Sequence, residues 1–191
     1  MTPYLSRIER PRGLAMKIVY RLARRQFGKV PTPLAVFMAR MPLAFGTFFG
    51  KAGSLEKKLM LPPRVRMLVR DQAALLNGRG FCQDSDRWFA LRESPEVSVL
   101  LDALPAYGTS ALFTDGKRAA LNYATELIRD KRIQPDTMDR LRLHFSEREI
   151  CELAWLCAVA HVFNITNIAL GIGSNGLCET AGNAAGVKIS K

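Results

Sequence analysis

Apolar side chains recur three and four residues apart along almost the whole chain. This is the spacing of one face of an α-helix, and no run alternates with period two for long enough to form a strand. Glycines, prolines and capping residues separate the periodic segments at intervals that suit helices of ordinary length. The pattern predicts an all-α protein with roughly eight helices in a single domain.

Start and stop signals place the individual helices. A residue that caps a helix, a proline in its first turn or a glycine after its last turn marks each boundary. Residues 51–60 are predicted to form a polar connector instead. The expected helices run from Leu14 to Phe27, as two short helices in 34–49 broken by Arg40 and Pro42, from Pro62-Pro63 to Asn77-Gly78, over about 81–91 and 96–104, from the cap Thr114 to about Arg129, from Pro135 onward, and from the capping box Ser146/Glu149 to about Ile172.

Length and composition describe an ordinary globular chain. It has 191 residues, of which 48% are hydrophobic and 24% charged, so it can bury a core without a disulfide or a metal. Charged residues interrupt the apolar segments, and residues 1–13 lack the apolar centre of a signal peptide, so we expect neither a membrane span nor secretion. The four cysteines are then expected to be thiols in the reducing cytoplasm.

Positive charge is concentrated in the first part of the chain. Residues 1–70 hold 15 Lys and Arg against two acids, whereas residues 71–191 hold 13 against 15. Such an imbalance suggests attraction to phosphate, anionic lipid or an acidic partner, or docking of the basic half on the rest of the protein or on a second subunit. No zinc-finger, helix-turn-helix or aromatic-rich strand motif accompanies it, so nucleic acid or an acidic partner is not the favoured interpretation.

The first expected helix carries part of this charge. Lys17, Arg21, Arg24 and Arg25 lie on one face, and an apolar set is expected to face the other way. Such an amphipathic helix could lie on a membrane, but most helices of this kind pack on their own domain, as we expect here. That set is Ala15, Ile18, Val19, Leu22 and Ala23. The following segment, 34–49, is so apolar that we expect it to contribute to an interface between copies of the chain.

Three sequence blocks together resemble a known superfamily. They are Leu61-Pro62-Pro63, Ala73-Ala74-Leu75-Leu76-Asn77-Gly78 and Phe81-Cys82. The chain resembles the carboxymuconolactone decarboxylase and alkylhydroperoxidase D (AhpD) superfamily, in which a helix that begins at such prolines leads to L-N-G-C-x-x-C-x-x-x-H. The resemblance covers about 26–178 and implies an AhpD-like helical bundle that forms homo-oligomers. It leaves 1–25 as a basic helical extension and 179–191 as a tail.

The motif that carries chemistry in the peroxidase branch is mostly missing. Its first thiol falls on Arg79, its second on Cys82 and its histidine four residues later on Asp86. The proton-relay glutamate falls on Met67, and a further histidine falls on Phe81. A dithiol cycle is therefore not expected, and the resemblance leaves Cys82 as the possible centre of a single-thiol peroxidase or antioxidant oxidoreductase.

The surroundings of Cys82 favour opposite protonation states. A nearby helix N-terminus and Arg79 stabilise a thiolate, whereas Asp84 and Asp86 oppose it. If the chain is an enzyme, Cys82 would react and Asp84, Asp86 or His161 would assist proton transfer. An external thiol would then reduce the oxidised Cys82, and no cofactor is expected. The alternative is a buried cysteine that only packs.

Polar residues on the last long helix are the other candidates. Cys157, His161 and Asn164 share one face, and Asn167 follows one turn later. They could relay protons to Cys82, or hydrogen-bond across a helix contact. Two potential ligands, Cys157 and His161, fall short of a metal site, so none is predicted. Together with Arg79, Asn164 and Asn167 are the predicted substrate-binding residues.

Two further functions remain open at this stage. In the decarboxylase branch, cofactor-free chemistry on a small anionic substrate would use Arg79 as a carboxylate clamp, because guanidinium binds carboxylate through two parallel hydrogen bonds. In a different class, the chain would be a non-catalytic homo-oligomeric binding module that uses its basic N-terminal half. The residues do not decide whether the chain is an enzyme.

Overall fold

The computed structural model describes residues 2–78, 84–85, 87–89 and 95–177. Every regular element within these ranges is helical, which confirms the predicted all-α class. Two π-helical turns, Leu34–Met38 and Phe45–Phe49, and a 3₁₀ turn at Leu104–Ala106 accompany the α-helices. The α-helices are α1 (Leu14–Phe27), α2 (Pro42–Ala44), α3 (Gly50–Glu56), α4 (Pro63–Leu76), α5 (Pro95–Asp102), α6 (Asp115–Arg129), α7 (Pro135–Arg142) and α8 (Glu147–Ala169).

Local capping chemistry sets the helix ends where the sequence predicts them. Helix α8 begins at a complete capping box, in which the Glu149 carboxylate accepts from the Ser146 backbone N–H at 2.8 Å. Helix α6 begins at Thr114, whose side chain accepts from the backbone of Lys117. Helix α1 ends at Gly28, which has φ 72°, a conformation that glycine adopts without steric cost.

The main core forms where α4, α6 and α8 pack against one another. Its fully buried side chains come from all three helices and include Val69, Ala124 and Leu153. A buried polar contact fixes α8 to the start of α4, because the Leu61 backbone N–H donates to the Glu152 carboxylate at 3.0 Å. Helix α4 is therefore held along its length, and the residues on its flanks have defined positions.

Helix α1 packs on the segment that follows it. Met16, Tyr20 and Ala23 are buried against Val30, Leu34 and Ala35. The predicted buried face is wrong in part, because Ile18 and Leu22 are exposed and Ala15 lies on the surface. Tyr20 buries a large aromatic ring on the inner side, and its hydroxyl donates to the Ile8 carbonyl at 2.8 Å.

The segment from 42 to 56 is helical throughout. Proline breaks the apolar run at Pro42, as predicted, but α3 then continues to Glu56, so the predicted connector over 51–60 is wrong for its first half. No proline follows Pro42 until Pro62, and α3 buries only Ala52 while Lys51 and Ser54 remain exposed. A helix with one buried position therefore forms where composition suggested a loop.

One described helix is long and apolar enough to cross a membrane, namely α8. Residues 153–178 hold no Asp, Glu, Lys or Arg, so the expectation that charges interrupt every long apolar stretch is wrong. Helix α8 packs on α4 and α6, as a core helix of a bundle does, and it begins with two acids in its first turn. These contacts bury one third of its most apolar stretch, while Val162 and Ile165 remain exposed.

Candidate functional site

A cavity of about 260 Å³ lies between the π-helical turns, α3, α4 and α8. This volume is just below the range of about 300–1,000 Å³ that is usual for small-molecule sites. One part of its lining is aromatic. Phe49 contacts Phe163 with ring centroids 4.7 Å apart and Phe37 with centroids 5.7 Å apart. Flat apolar molecules fit such a wall, because rings stack or meet edge to face.

The aromatic side chains reach the cavity from irregular helix. Phe37 and Met38 lie on the first π-helical turn, and Phe49 ends the second. In the first turn the Ala39 backbone N–H donates to the Leu34 carbonyl, five residues back, at 3.0 Å. π-Helical turns interrupt the regular spacing of side chains and are frequent at functional sites.

The cavity also has a charged part. The Arg70 guanidinium of α4 lies 2.7 Å from the Glu56 carboxylate at the end of α3, and both side chains are half-buried. Arg66 also donates to the Glu56 backbone carbonyl. The two arginines hold the end of α3 against α4. A partly shielded ion pair of this kind interacts more strongly than one in bulk water.

Two asparagines of α8 line the same cavity. Asn164 and Asn167 were predicted as substrate-binding residues, and their position fits that prediction, which stays untested. Asn164 is only 1% exposed, and no donor within the described part of the chain reaches its Oδ1. A buried acceptor without a partner costs about 1–3 kcal/mol, and a ligand that donates to Asn164 would remove that cost.

The predicted catalytic centre itself falls outside the described residues. Arg79, Cys82 and Asp86 all lie there, as does most of the helix predicted over 81–91. Ser85 is described, and it lines the cavity. Cys82 precedes Ser85 by three positions, so the cavity is next to the predicted centre along the chain.

Asp84 accepts hydrogen bonds from the segment that follows α8. Its Oδ2 accepts hydrogen bonds from the Ser174 hydroxyl at 2.9 Å and from the backbone N–H groups of Asn175 and Leu177 at 3.0 and 2.8 Å. The carboxylate is buried and ties the segment after α8 to the segment before α5. Arg87, three residues after Asp84, pairs with Asp102 at 2.7 Å. A part for Asp84 in proton transfer stays a prediction.

His161 and Cys157 are not among the residues that line the cavity. Burial and the nearby positive charge of Lys131 lower the pKa of His161, so its imidazole is neutral at physiological pH. Burial raises the pKa of the Cys157 thiol to about 12, which makes it inert as a nucleophile. No group of three or more His, Cys, Asp or Glu side chains in the described ranges is placed to hold a metal ion.

Solved structures share this arrangement of helices. A cysteine-to-alanine variant of the debrominase Bmp8, in complex with 2,3,4-tribromopyrrole, aligns with TM-score 0.76 over 96% of this chain and 98% of that chain at 19% identity. A peroxidase-related protein with an alkylhydroperoxidase AhpD core from Ralstonia eutropha JMP134 aligns with TM-score 0.72 over 90% and 94% at 17% identity. The chain has the AhpD-like fold.

A peroxidase-related protein from Silicibacter sp. TM1040 also shares the AhpD-like fold, with TM-score 0.73, 17% identity and coverage of 88% of both chains. No protein-family model and no curated protein matches the sequence. The fold predicted from Leu61-Pro62-Pro63 and the following blocks is therefore confirmed by structure, while the chemistry of the site rests on this chain's own residues.

Sequence reasoning missed the charged pair and the aromatic wall. Glu56 did carry a signal, since it is the only acid between Glu9 and Asp71. An isolated acid in a basic segment is a good candidate for a specific partner, here Arg70. The three phenylalanines carried no comparable signal, because apolar residues at helical spacing read as ordinary core.

Proposed function

We propose that the chain is a single-thiol oxidoreductase with Cys82 as its reacting group and the cavity as its substrate site. The observation that carries the proposal is the cavity, whose lining includes Ser85, three residues after Cys82. The likeness in fold to peroxidase-related proteins supports the redox class. The first substrate class is a small organic hydroperoxide with an apolar body that suits Phe37, Phe49 and Phe163.

The proposed reaction needs no second cysteine near Cys82. The thiolate attacks the distal peroxide oxygen, the O–O bond breaks, and an alcohol leaves with a proton while Cys82 becomes a sulfenic acid. An external thiol condenses with the sulfenic acid, releasing water, and a second external thiol displaces the first as a disulfide. This cycle suits a reducing compartment such as the cytoplasm.

The aromatic wall favours a second candidate, reductive dehalogenation of a small aromatic ring. Bmp8 is a debrominase, and its variant is known in complex with 2,3,4-tribromopyrrole. In this chain a flat ring could pack against Phe49 and Phe163 in the cavity, which Asn164 also lines. Replacement of a bromine by hydrogen would consume two external thiols and release bromide, a proton and a disulfide.

The first experiment measures the pH dependence of cysteine alkylation on the native protein by peptide mass spectrometry. We expect fast labelling of Cys82 with an apparent pKa below about 8.5, the value of a free cysteine. The chain supplies its own references, because Cys151 is exposed and Cys157 is buried with a raised pKa. Cys151 should label in the native state and Cys157 only after unfolding.

Turnover then separates the candidates. Consumption of cumene hydroperoxide indicates the peroxidase, and release of bromide from 2,3,4-tribromopyrrole indicates the dehalogenase. Cys82→Ser should abolish whichever of the two thiol-dependent activities the parent has, while Cys151→Ser should retain it. If Cys82 labels only after unfolding, or Cys82→Ser turns over either substrate at the parent rate, the thiol proposal is wrong.

The proposal includes a homo-oligomer built through the surface of 41–55. Four large apolar side chains are exposed there, which is typical of an interface between subunits. Sedimentation equilibrium should give a mass above that of one chain, and Leu43→Glu should lower it. The side chains and their exposed fractions are Met41 51%, Leu43 77%, Phe48 41% and Leu55 45%.

A further inference from the structure

Helix α1 presents two apolar faces, of which only one is used within the chain. The inner face packs through Met16, Tyr20 and Ala23. The Tyr20 hydroxyl donates to the Ile8 carbonyl at 2.8 Å and fixes the rotation of the helix about its axis. The outer face is therefore held in one orientation by the fold.

The outer face carries a stripe of large aliphatic side chains. Leu14, Ile18 and Leu22 follow one another at intervals of four, so they line up along the helix. Their exposed fractions are 74%, 51% and 59%. No described residue covers them, although each could bury apolar surface worth about 1.5–3 kcal/mol.

A basic stripe runs directly beside the aliphatic one. Lys17, Arg21 and Arg25 also follow at intervals of four, and all three are exposed, as is Arg24. Residues 10–55 contain nine Lys and Arg and no acid. The outer face therefore combines apolar area with positive charge that no acid in this stretch of sequence offsets.

We propose that this outer face of α1 docks on the surface of an anionic lipid bilayer, with the helix parallel to the membrane plane. Aliphatic side chains would enter the acyl boundary while the neighbouring lysine and arginine head groups meet lipid phosphates. Nucleic acid phosphates would pair with the lysine and arginine side chains but would leave Leu14, Ile18 and Leu22 exposed to water. A symmetric contact with a second copy would bring two basic stripes together. This inference is independent of the thiol chemistry.

Vesicle cosedimentation of the full chain tests the proposal. We expect binding to vesicles of phosphatidylcholine mixed with phosphatidylglycerol, and none to phosphatidylcholine alone. Raising the salt from about 0.1 M to about 0.5 M should weaken binding, because it shortens the screening length.

Paired variants test each stripe. The double variant Lys17→Glu with Arg21→Glu should lower the partition coefficient at least about 25-fold, since each basic residue near an anionic leaflet contributes about fivefold. Ile18→Ser with Leu22→Ser should lower it about tenfold or more. The control, Arg140→Glu with Leu143→Ser, makes one change of each kind on the exposed surface at the end of α7 and should bind as the parent does. Circular dichroism checks that each variant is folded.

Several outcomes would overturn the proposal. Absence of binding to anionic vesicles is one, and equal losses in the control and α1 variants is another. If Ile18→Ser with Leu22→Ser leaves binding unchanged and duplex DNA binds with equal salt dependence, the partner is nucleic acid. If that variant instead lowers the mass in sedimentation equilibrium without affecting vesicle binding, the face is an interface between copies.

Discussion

Single carboxylates in this protein do structural work that their neighbours in sequence do not reveal. Asp84 gathers three donors from residues 174–177 on one oxygen, and Glu152 accepts from the backbone of Leu61. Burial by itself raises the pKa of Glu152, but hydrogen bonds from Leu61, Met60 and Arg148, with the positive charge of Arg148, bring it below its ordinary value. Each acid thus joins segments that are far apart in the chain.

Asp84→Asn should destabilise the protein by about 1.5–3 kcal/mol, because an amide oxygen accepts the three hydrogen bonds less strongly than a carboxylate. Chemical denaturation measures the loss. The control is Asp115→Asn, whose side chain is 82% exposed and whose partner Arg118 lies on the same helix. That variant should lose less than about 1 kcal/mol. A parent-like unfolding midpoint for Asp84→Asn together with lost turnover would instead indicate a role in proton transfer.

His161 should make stability depend on pH. Burial and Lys131 lower its pKa in the folded state, so the unfolded chain takes up a proton first as the pH falls. Its contribution is fully present above the unfolded pKa of about 6.5 and is lost as the pH falls toward the lower folded value. The difference in urea midpoint between about pH 7.5 and about pH 5.5 should be smaller for His161→Gln than for the parent. An unchanged difference would show that His161 does not contribute.

At the scale of elements, helix boundaries follow local chemistry, whereas the π-helical turns do not. Ser146 and Glu149 specify the start of α8 wherever that helix packs. Nothing in the amino-acid sequence around Phe37 or Phe49 predicts a π-helical turn. The first turn is defined by the hydrogen bond from the Ala39 N–H to the Leu34 carbonyl, five residues back, which regular α-helix does not make.

Ser146→Ala should cost about 1 kcal/mol, within a range of about 0.5–2, because the Glu149 backbone N–H in the first turn of α8 loses the hydroxyl oxygen that accepts its hydrogen bond. Thermal or urea unfolding reads out the change. Ser54→Ala is the matched control, since the Ser54 hydroxyl donates to the Gly50 carbonyl inside an exposed helix. Alanine is the better helix former there, so this variant should be as stable as the parent or slightly more stable. Equal losses in the two variants would contradict the capping argument.

At the scale of the whole molecule, the N-terminal segment is tied to both ends of the fold. The Tyr4 backbone N–H donates to the Leu170 carbonyl at 3.1 Å, and that of Ile8 donates to the Ala35 carbonyl at 2.9 Å. Arg7 reaches Thr32, which in turn donates to Asn175 at 2.6 Å. The predicted extension over 1–25 therefore packs on the region assigned to the domain.

Deletion of residues 2–25 tests whether that extension is separable. Losing Met16, Tyr20 and Ala23 would expose Val30, Leu34 and Ala35, so we expect a stability loss on the order of 5 kcal/mol and a tendency to aggregate. Calorimetry and size-exclusion chromatography measure both effects. An unchanged melting temperature and a single monodisperse peak would show that 1–25 is an independent extension.

Sequence alone determined the all-α class and most helix ends, because caps, prolines and apolar spacing act within a few residues. The AhpD-like fold was predicted from the family resemblance of Leu61-Pro62-Pro63 and the following blocks. It also identified Asn164 and Asn167 as candidates, since polar side chains on an apolar helix are costly without a purpose. The tertiary structure decided which side of α1 is buried, the pairing of Glu56 with Arg70, the aromatic wall and the task of Asp84. These features depend on contacts between segments that are distant in the chain. Apolar periodicity predicts that one face of a helix is buried, but it does not predict which other segment covers that face.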